Sequence, residues 1–365
     1  MEVILVILLW LYLFLQLLVL AGFFSERPRA RIPAILPPVA VLVPARNEAD
    51  NMGECLDSLL KLNYPKDLLE IWIGNDASTD QTVKLVQQYE QHYPHVHLYE
   101  VTENLGSAKA KGNVLAHLVK QCKADYIFVT DADIEVSPSW IAHLLPFLMQ
   151  DKVGMVSGTT VVDGKSYFEK WQGLEWMLGN GHIIGLDRLG LKSTAVGNNM
   201  AFTREAYLAT GGYEQMPFSV TEDFQLFKAI RQGRFNTHNL IETRSLNLSK
   251  AQTQLGELLH QRKRWLQGAQ GLPWYWLFIF MLQALFYPVL IVLLFVHPVM
   301  ALKLWVVKVL VQTVFLLLIS QRLKLKIHWP TLILFEPYSF IMQFLMLGFY
   351  ALPIKMDWKE RKYSN

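Results

Sequence analysis

Residues 125–133 read DYIFVTDAD, an apolar run from Tyr126 to Val129 that ends on Asp131-Ala132-Asp133. A short β-rich stretch leading straight into two carboxylates is the pattern of a buried parallel strand whose carboxyl end opens into a site. Working outward, VAVLV (39–43), EIWIGND (70–76) and HVHLYEV (95–101) are runs of the same kind, and each is followed by a helical pattern. Strands alternating with helices predict an α/β fold with a mainly parallel, Rossmann-like sheet. Polar residues gather just past the strand ends, as Pro44-Ala45-Arg46-Asn47-Glu48, Asn75-Asp76 and Asp131 to Asp133. Ligands of open α/β sheets bind at that edge, so these residues are expected to share one composite site. Neither a Gly-x-Gly-x-x-Gly turn nor a Gly-Lys-Ser/Thr loop is present, which argues against a standard dinucleotide fold or a P-loop ATPase.

The flanks have a different composition. Residues 3–24, VILVILLWLYLFLQLLVLAGFF, carry Gln16 as the only strongly polar side chain and are long enough to cross a hydrocarbon core of about 30 Å as a helix. A cleaved signal peptide is the competing reading, but it normally starts with positive charge, whereas this run follows Met1-Glu2. Residues 1–25 are therefore read as a transmembrane anchor, and the Pro- and Arg-rich residues 26–37 as a stiff linker. From 273 to 352 three apolar stretches, near 274–296, 299–320 and 331–351, predict about three further spans, the second burdened by Lys303 and Lys308. Residues 353–365 form a basic tail. Arg27, Arg29 and Arg31 place the domain that follows, residues 38–272, in the cytoplasm, with a bacterial inner membrane the expected location. Three full C-terminal crossings would leave Lys355, Lys359, Arg361 and Lys362 outside, a conflict that points to one segment that does not fully cross.

In this 365-residue chain a formal charge of +3 is too small to imply nucleic acid, and juxtamembrane cations explain it. Cys55 and Cys122 form neither a disulfide framework nor a zinc motif.

Four groups carry candidate chemistry. Asp131-x-Asp133 can share a divalent cation such as Mg²⁺ or Mn²⁺, hard ions that keep positions open for phosphate oxygens; alone, it is equally a solvated turn. Thr221-Glu222-Asp223 opens a helical pattern, where Thr221 is a candidate N-cap and the carboxylates suit the helix dipole. A carboxylate held there is also placed to serve as general base. Gln261-Arg262-Lys263-Arg264-Trp265 reads as an interfacial amphipathic helix, or more sharply as an arginine for a diphosphate beside an aromatic platform. Lys111-Gly112-Asn113 offers a cation, with Lys109 close enough to dispute the role. Gly197-Asn198-Asn199-Met200 reads as a turn, and Trp171, Trp176 and His182 as packing residues of an amphipathic helix.

Asp76, Asp131-x-Asp133, Thr221-Glu222-Asp223 and Gln261-x-x-Arg264-Trp265, in this order between apolar segments, resemble the D, DxD, TED, QxxRW signature of membrane-bound glycosyltransferase family 2. The resemblance covers roughly residues 38–270. It implies a GT-A fold and an inverting transfer from a nucleotide-diphospho-sugar, a UDP-sugar foremost, to a lipid or glycan acceptor. By resemblance, Asp76 and the Pro44, Arg46 and Glu48 segment contact the nucleoside. Lys111 approaches the donor nucleotide, Asp131 lies near the donor sugar or ribose, and Asp133 binds the metal. Asp223 is the base with Glu222 beside it, Arg264 neutralises the leaving group, and Gln261 and Trp265 border the acceptor. The Gly197 to Met200 turn resembles a family loop lining the pocket. Transfer of one sugar is expected, with a processive polysaccharide synthase or a non-catalytic nucleotide-sugar-binding subunit as alternatives.

Overall fold

The structure, a computed structural model, describes residues 2–25, 28–192, 194–269, 271–352, 356–358 and 361–363. Helix α1 (Glu2–Phe24) comes first. Then β1 (Val39–Ala45) leads into α2 (Ala49–Leu60), β2 (Leu69–Asn75) into α3 (Thr82–His92), and β3 (Val96–Glu100) into α4 (Ala110–Gln121). Strands β4 (Tyr126–Val129) and β5 (Ile134–Glu135) flank the Asp-Ala-Asp turn, and α5 (Trp140–Leu148), β6 (Val153–Ser157) and β7 (Thr159–Asp163) follow. Next come α6 (Tyr167–Arg188), β8 (Met200–Thr203), α7 (Arg204–Ala209), α8 (Gly212–Gln215), α9 (Glu222–Gln232), β9 (Asn236–Asn239) and β10 (Leu246–Lys250). Helices α10 (Leu255–Ala269), α11 (Trp274–Val296), α12 (Pro298–Leu323), α13 (Trp329–Ile333) and α14 (Phe335–Ala351) precede a small ribbon, β11 (Met356–Trp358) with β12 (Arg361–Tyr363).

The chain divides into an α/β unit, Arg27–Val162 with Thr194–Lys250, and a helical unit, Met1–Glu26, Asp163–Ser193 and Ala251–Asn365. Residues of α6 and α10, which sequence reading placed inside a domain over 38–272, thus group with the apolar helices. The basic tail falls partly outside the described residues: 353–355, 359, 360, 364 and 365 are not described, nor are Glu26 and Arg27 of the linker.

The α/β unit is built on a seven-stranded sheet of order β3-β2-β1-β4-β8-β6-β9. Its first four strands are mutually parallel, β8 runs antiparallel to both β4 and β6, and β9 is parallel to β6. Central β1 explains why its sequence is apolar without alternation. Val39, Val41 and Val43 pack into one core with α2 and α5, while Ala40 and Leu42 pack into the other with α4. A strand buried on both faces has no solvent side to mark with polar residues. Parallel register then brings the carboxyl ends of β1, β2 and β4 to one edge, with Ala45 opposite Asn75 and Leu42 opposite Val129.

Among the described residues, three helices, all in the helical unit, are long and apolar enough to cross a membrane: Glu2–Phe24, Trp274–Val296 and Pro298–Leu323. The stretch 331–351, expected as one span, is broken into α13 and the 17-residue α14. Pro337 near the start of α14 lacks the N–H that would continue the earlier helix, so the chain breaks and restarts there.

Several polar residues inside this unit are paired. Gln16, the lone strongly polar group of the apolar run in α1, accepts at its Oε1 from His182 Nε2 of α6 at 2.7 Å. Lys308, which made the second C-terminal stretch doubtful, is buried and ion-paired with Glu336 of α14. Glu336 also accepts from Tyr287 at 2.8 Å, Trp305 at 3.1 Å and Gln312 at 3.2 Å. A charge in an apolar bundle is tolerated when paired and hydrogen-bonded in this way. Lys303 instead stays exposed.

Helix α6 enters the bundle behind a capping box of Ser166 and Glu169. It meets α1 through glycines: a Cβ at Gly185 would lie 2.4 Å from the Val19 carbonyl, and one at Gly22 would lie 2.3 Å from the Gly185 carbonyl. Close backbone approach at small residues is how helices associate where apolar burial gives little drive. Gly185→Val is therefore expected to cost about 1–3 kcal/mol and to lower the melting temperature in detergent. Gly179→Ala, which meets nothing within 4 Å, should melt like the wild type or slightly higher.

Candidate functional site

The first part of the site is a pair of loops at the ends of β1 and β2. The Asp76 N–H donates to the Ala45 carbonyl at 2.9 Å, and Arg46 Nη1 donates to the Asp76 carbonyl at 2.7 Å. Asn47 turns the chain with φ of 51°, and its Oδ1 accepts from the Thr79 N–H at 2.8 Å while its own N–H donates to Ser78 Oγ at 3.0 Å. The Glu48 N–H donates to Thr82 Oγ1 at 2.8 Å. Asp80 accepts from the N–H groups of Ala49, at 3.0 Å, and Thr82, at 2.9 Å. Burial is the largest single influence and raises the Asp80 pKa, but the hydrogen bonds from the Thr82 hydroxyl and from these N–H groups together outweigh it and hold the carboxyl below its usual range. Pro44, Arg46, Glu48 and Asp76 are thereby fixed in one rigid double loop.

The second part is a charge cluster. Lys111, in the first turn of α4, places Nζ 2.6 Å from Asp131 Oδ1 and 2.8 Å from Glu222 Oε1. Burial pulls the lysine pKa down, but attraction by Asp131, Glu222 and Asp223 prevails and holds it well above the ordinary lysine range. Lys109, the competing cation, is exposed. Glu222 and Asp223 open α9, as the dipole reading expects, yet Thr221 at the N-cap position makes no side-chain cap bond.

Asp223 lies against the 197–200 turn. A Cβ at Gly197 would fall 2.3 Å from Asp223 Oδ2, so only glycine leaves room for the carboxylate. Burial, then repulsion from Glu222, push the Asp223 pKa from 3.8 up to about 6, with Lys111 pulling the other way. The turn is anchored from behind. The Asn198 carbonyl accepts from Thr130 at 3.0 Å, its side chain accepts from Thr160 at 2.8 Å, and buried Asn199 accepts from Trp140 Nε1 at 2.8 Å.

Asp133 sits one residue beyond buried Ala132, partly open to solvent. Burial, followed by the charges of Asp133 and Asp131, pushes the Cys55 thiol far up, so that sulfur is an inert neutral neighbour of the two carboxylates. Among the described residues no group of three His, Cys, Asp or Glu converges as a metal cage. Asp131 is engaged by Lys111, and Asp133 is the other carboxylate of the turn. That donor set fits Mg²⁺ or Mn²⁺, which accept few protein ligands and complete their shells with phosphate oxygens and water.

Gln261, Arg264 and Trp265 belong to the helical unit, on α10. The two residues the motif leaves open are both held inside the helical unit. Lys263 is buried and donates to the carbonyls of Leu352, at 2.9 Å, and Phe349, at 3.4 Å, at the end of α14. Arg262 pairs with Glu175 of α6 at 2.8 Å. Sequence reading missed these roles, as well as Gly197 against Asp223 and Asp80 beneath the double loop; the Gly-Asn-Asn turn was the one available signal.

A mainly parallel α/β sheet with carboxylates at its strand ends is the GT-A class of glycosyltransferase fold. The chain belongs to glycosyltransferase family 2: the model of Glycosyl transferase family group 2 matches residues 126–354, more than half of the chain, and that of Glycosyl transferase family 2 matches residues 40–210. A mannosyltransferase from Pyrobaculum calidifontis, solved in complex with GDP-Man and Mn²⁺, has a similar fold, with a TM-score of 0.59 at 18% identity over 95% of this chain and 97% of that one. Beta-monoglucosyldiacylglycerol synthase of Synechocystis is 26% identical over 64% of this chain and 48% of its own length. Poly-beta-1,6-N-acetyl-D-glucosamine synthase of Staphylococcus epidermidis is 25% identical over 67% of this chain and 59% of its own. The chain spans about half the length of the curated relatives it matches.

The raised pKa of Asp223 has a cost in stability. Its folded value of about 6 lies above 3.8, so stability present below pH 3.8 is lost as pH rises through 6. Asp223→Asn removes that cost. Thermal melts at pH 8 should show the variant more stable by on the order of 1–2 kcal/mol, the gap closing on acidification below pH 5.

Proposed function

We propose that the chain transfers one glucosyl group from a UDP-sugar to a lipid acceptor in the membrane, diacylglycerol being the first candidate, with inversion at the anomeric carbon. The observation that carries this reading is the cluster of Lys111, Asp131, Glu222 and Asp223, in which two carboxylates are held by the lysine and the third is tuned to about pKa 6 against Gly197. A base with that pKa is charged at neutral pH yet basic enough to take a hydroxyl proton in the transition state. Asp223 accepts the acceptor proton as the new C–O bond forms, the bond from the anomeric carbon to the phosphate oxygen breaks, and its electron pair leaves with the nucleoside diphosphate. The double loop of Pro44, Arg46, Glu48 and Asp76 holds the nucleoside. Lys111 keeps Asp131 and Glu222 in place and lies beside the donor. Asp133 holds Mg²⁺ or Mn²⁺, which when bound neutralises the diphosphate. The roles of Arg264, for the leaving group, and of Gln261 and Trp265, for the acceptor, rest on the family motif.

The glucosyl donor and lipid acceptor follow the product named in the Synechocystis relative, and three apolar helices suit a lipid substrate. The active domain is assigned to the cytoplasmic side of a bacterial inner membrane from Arg29 and Arg31 after the first apolar run. A processive synthase is the second reading, favoured by the Staphylococcus relative.

Full-length protein in phosphatidylglycerol vesicles, given UDP-glucose and dioleoylglycerol, should release UDP and form a lipid with one glucose. A ladder of products from UDP-N-acetylglucosamine would favour the second reading, and tight UDP-sugar binding without turnover a non-catalytic subunit. Asp223→Asn and Asp133→Ala should each lower turnover by about 10²- to 10⁴-fold while the protein stays folded. Near-native turnover by either variant would sink the assignment. The rate should fall about tenfold per pH unit below about 6 as Asp223 takes up a proton. EDTA should stop the reaction and added Mg²⁺ or Mn²⁺ restore it.

A further inference from the structure

Trp265 is large, aromatic and 36% exposed. Two contacts hold it, both within the helical unit. The Arg262 guanidinium lies 4.3 Å from the indole centroid, well inside cation–π range, and covers one face. The Trp176 ring of α6 meets it edge to face, with centroids 5.3 Å apart and planes at 70°. Arg262 in turn is fixed by Glu175, whose Oε2 accepts from Arg262 Nη2 at 2.8 Å and from the Tyr338 hydroxyl at 3.2 Å. Tyr338, on α14, is stacked on Trp171 of α6 with centroids 5.0 Å apart. Arg262 is the hinge of this chain, since its side chain is largely buried while its neighbours on α10, Trp265 and Leu266, are exposed.

We propose that Arg262 is a positioning residue for the acceptor. Held by Glu175 and Tyr338, it clamps one face of Trp265 and leaves the other face of the indole as a rigid platform for the hydroxyl-bearing end of the acceptor. This rests on the reading of Trp265 as the acceptor border. An indole fixed before binding loses less rotamer entropy on contact, so the clamp acts on acceptor affinity rather than on the chemical step. A lysine at 262 keeps the cation over the ring but loses the planar fork that pairs with Glu175. Glu175→Gln keeps the shape of the partner and removes its charge.

Two measurements on the full-length protein in phosphatidylglycerol vesicles test this. The first needs no substrate: hydroxyl-radical oxidation of Trp265, read by mass spectrometry, reports how much of the indole is covered. Oxidation should rise about twofold in Arg262→Ala, stay near the wild type in Arg262→Lys, and rise partly in Glu175→Gln, as the guarded face opens. The second is kinetic, with UDP-glucose and dioleoylglycerol. Arg262→Ala should raise the dioleoylglycerol KM about fivefold, the factor a partly exposed cation–π contact supplies, leaving kcat and the UDP-glucose KM within about twofold. Arg262→Lys should recover most of that loss. Unchanged Trp265 oxidation in Arg262→Ala overturns the proposal. So does an equal fall in kcat for all variants, which marks mere unfolding. If Trp265→Ala leaves the dioleoylglycerol KM unchanged, the acceptor reading of Trp265 fails and the proposal with it. If the wild type does not turn over this pair, the substrates proposed above fail, while oxidation still decides whether Arg262 holds the ring.

Discussion

One lysine among carboxylates sets the terms for the α/β unit. Asp131 and the adjacent pair Glu222 and Asp223 come from distant parts of the chain, and three like charges in a poorly hydrated edge would repel one another. Lys111 binds two of them directly and lowers the charging cost of the third, so the cluster exists in a defined geometry before any ligand arrives. The lysine can sit there because α4 starts at Ala110 and directs its first turn at the strand ends, with Gly112 packed against Tyr213 and Glu222. The residual imbalance falls on Asp223. A carboxyl at about pKa 6 is a burden on the fold, and Gly197 is the backbone concession that lets it stay.

The helical unit answers the same physical problem by different means. Several of its buried polar groups are matched inside the bundle: Gln16 with His182, Lys308 with Glu336, Arg262 with Glu175. Helices that cannot rely on apolar burial alone approach through glycine, as α1 and α6 do at Gly22 and Gly185. Lys263 extends the scheme to the motif helix, where a buried ammonium meets the carbonyl end of α14 and favours the negative pole of that helix.

Much of the α/β unit was legible in the sequence because its signals are local. A strand buried on both faces is apolar over its whole length, and DYIFV before Asp131, like VAVLV before Pro44, needs no partner to be read as such. The alternation of these runs with amphipathic helices carried the parallel sheet, and the strand ends carried the position of the site. Reading was weaker where the signal is length alone. The stretch 331–351 is apolar enough to suggest a span, but Pro337 splits it, and Glu336 within it serves Lys308 of a neighbouring helix.

The amino-acid sequence by itself determined the α/β class, the apolar helices at either end, and the family, through four short motifs in a set order. Hydrophobic periodicity and motif spacing are properties of neighbours along the chain, so they survive without coordinates. Only the tertiary structure decided which charges meet. It chose Lys111 over Lys109, pressed Asp223 onto Gly197, paired Lys308 with Glu336, and turned Arg262 and Lys263, the open positions of a motif, into the residues that hold its helix. Electrostatic and steric partners are set by distance in space, and residues 20 to 160 positions apart carry no local mark of one another.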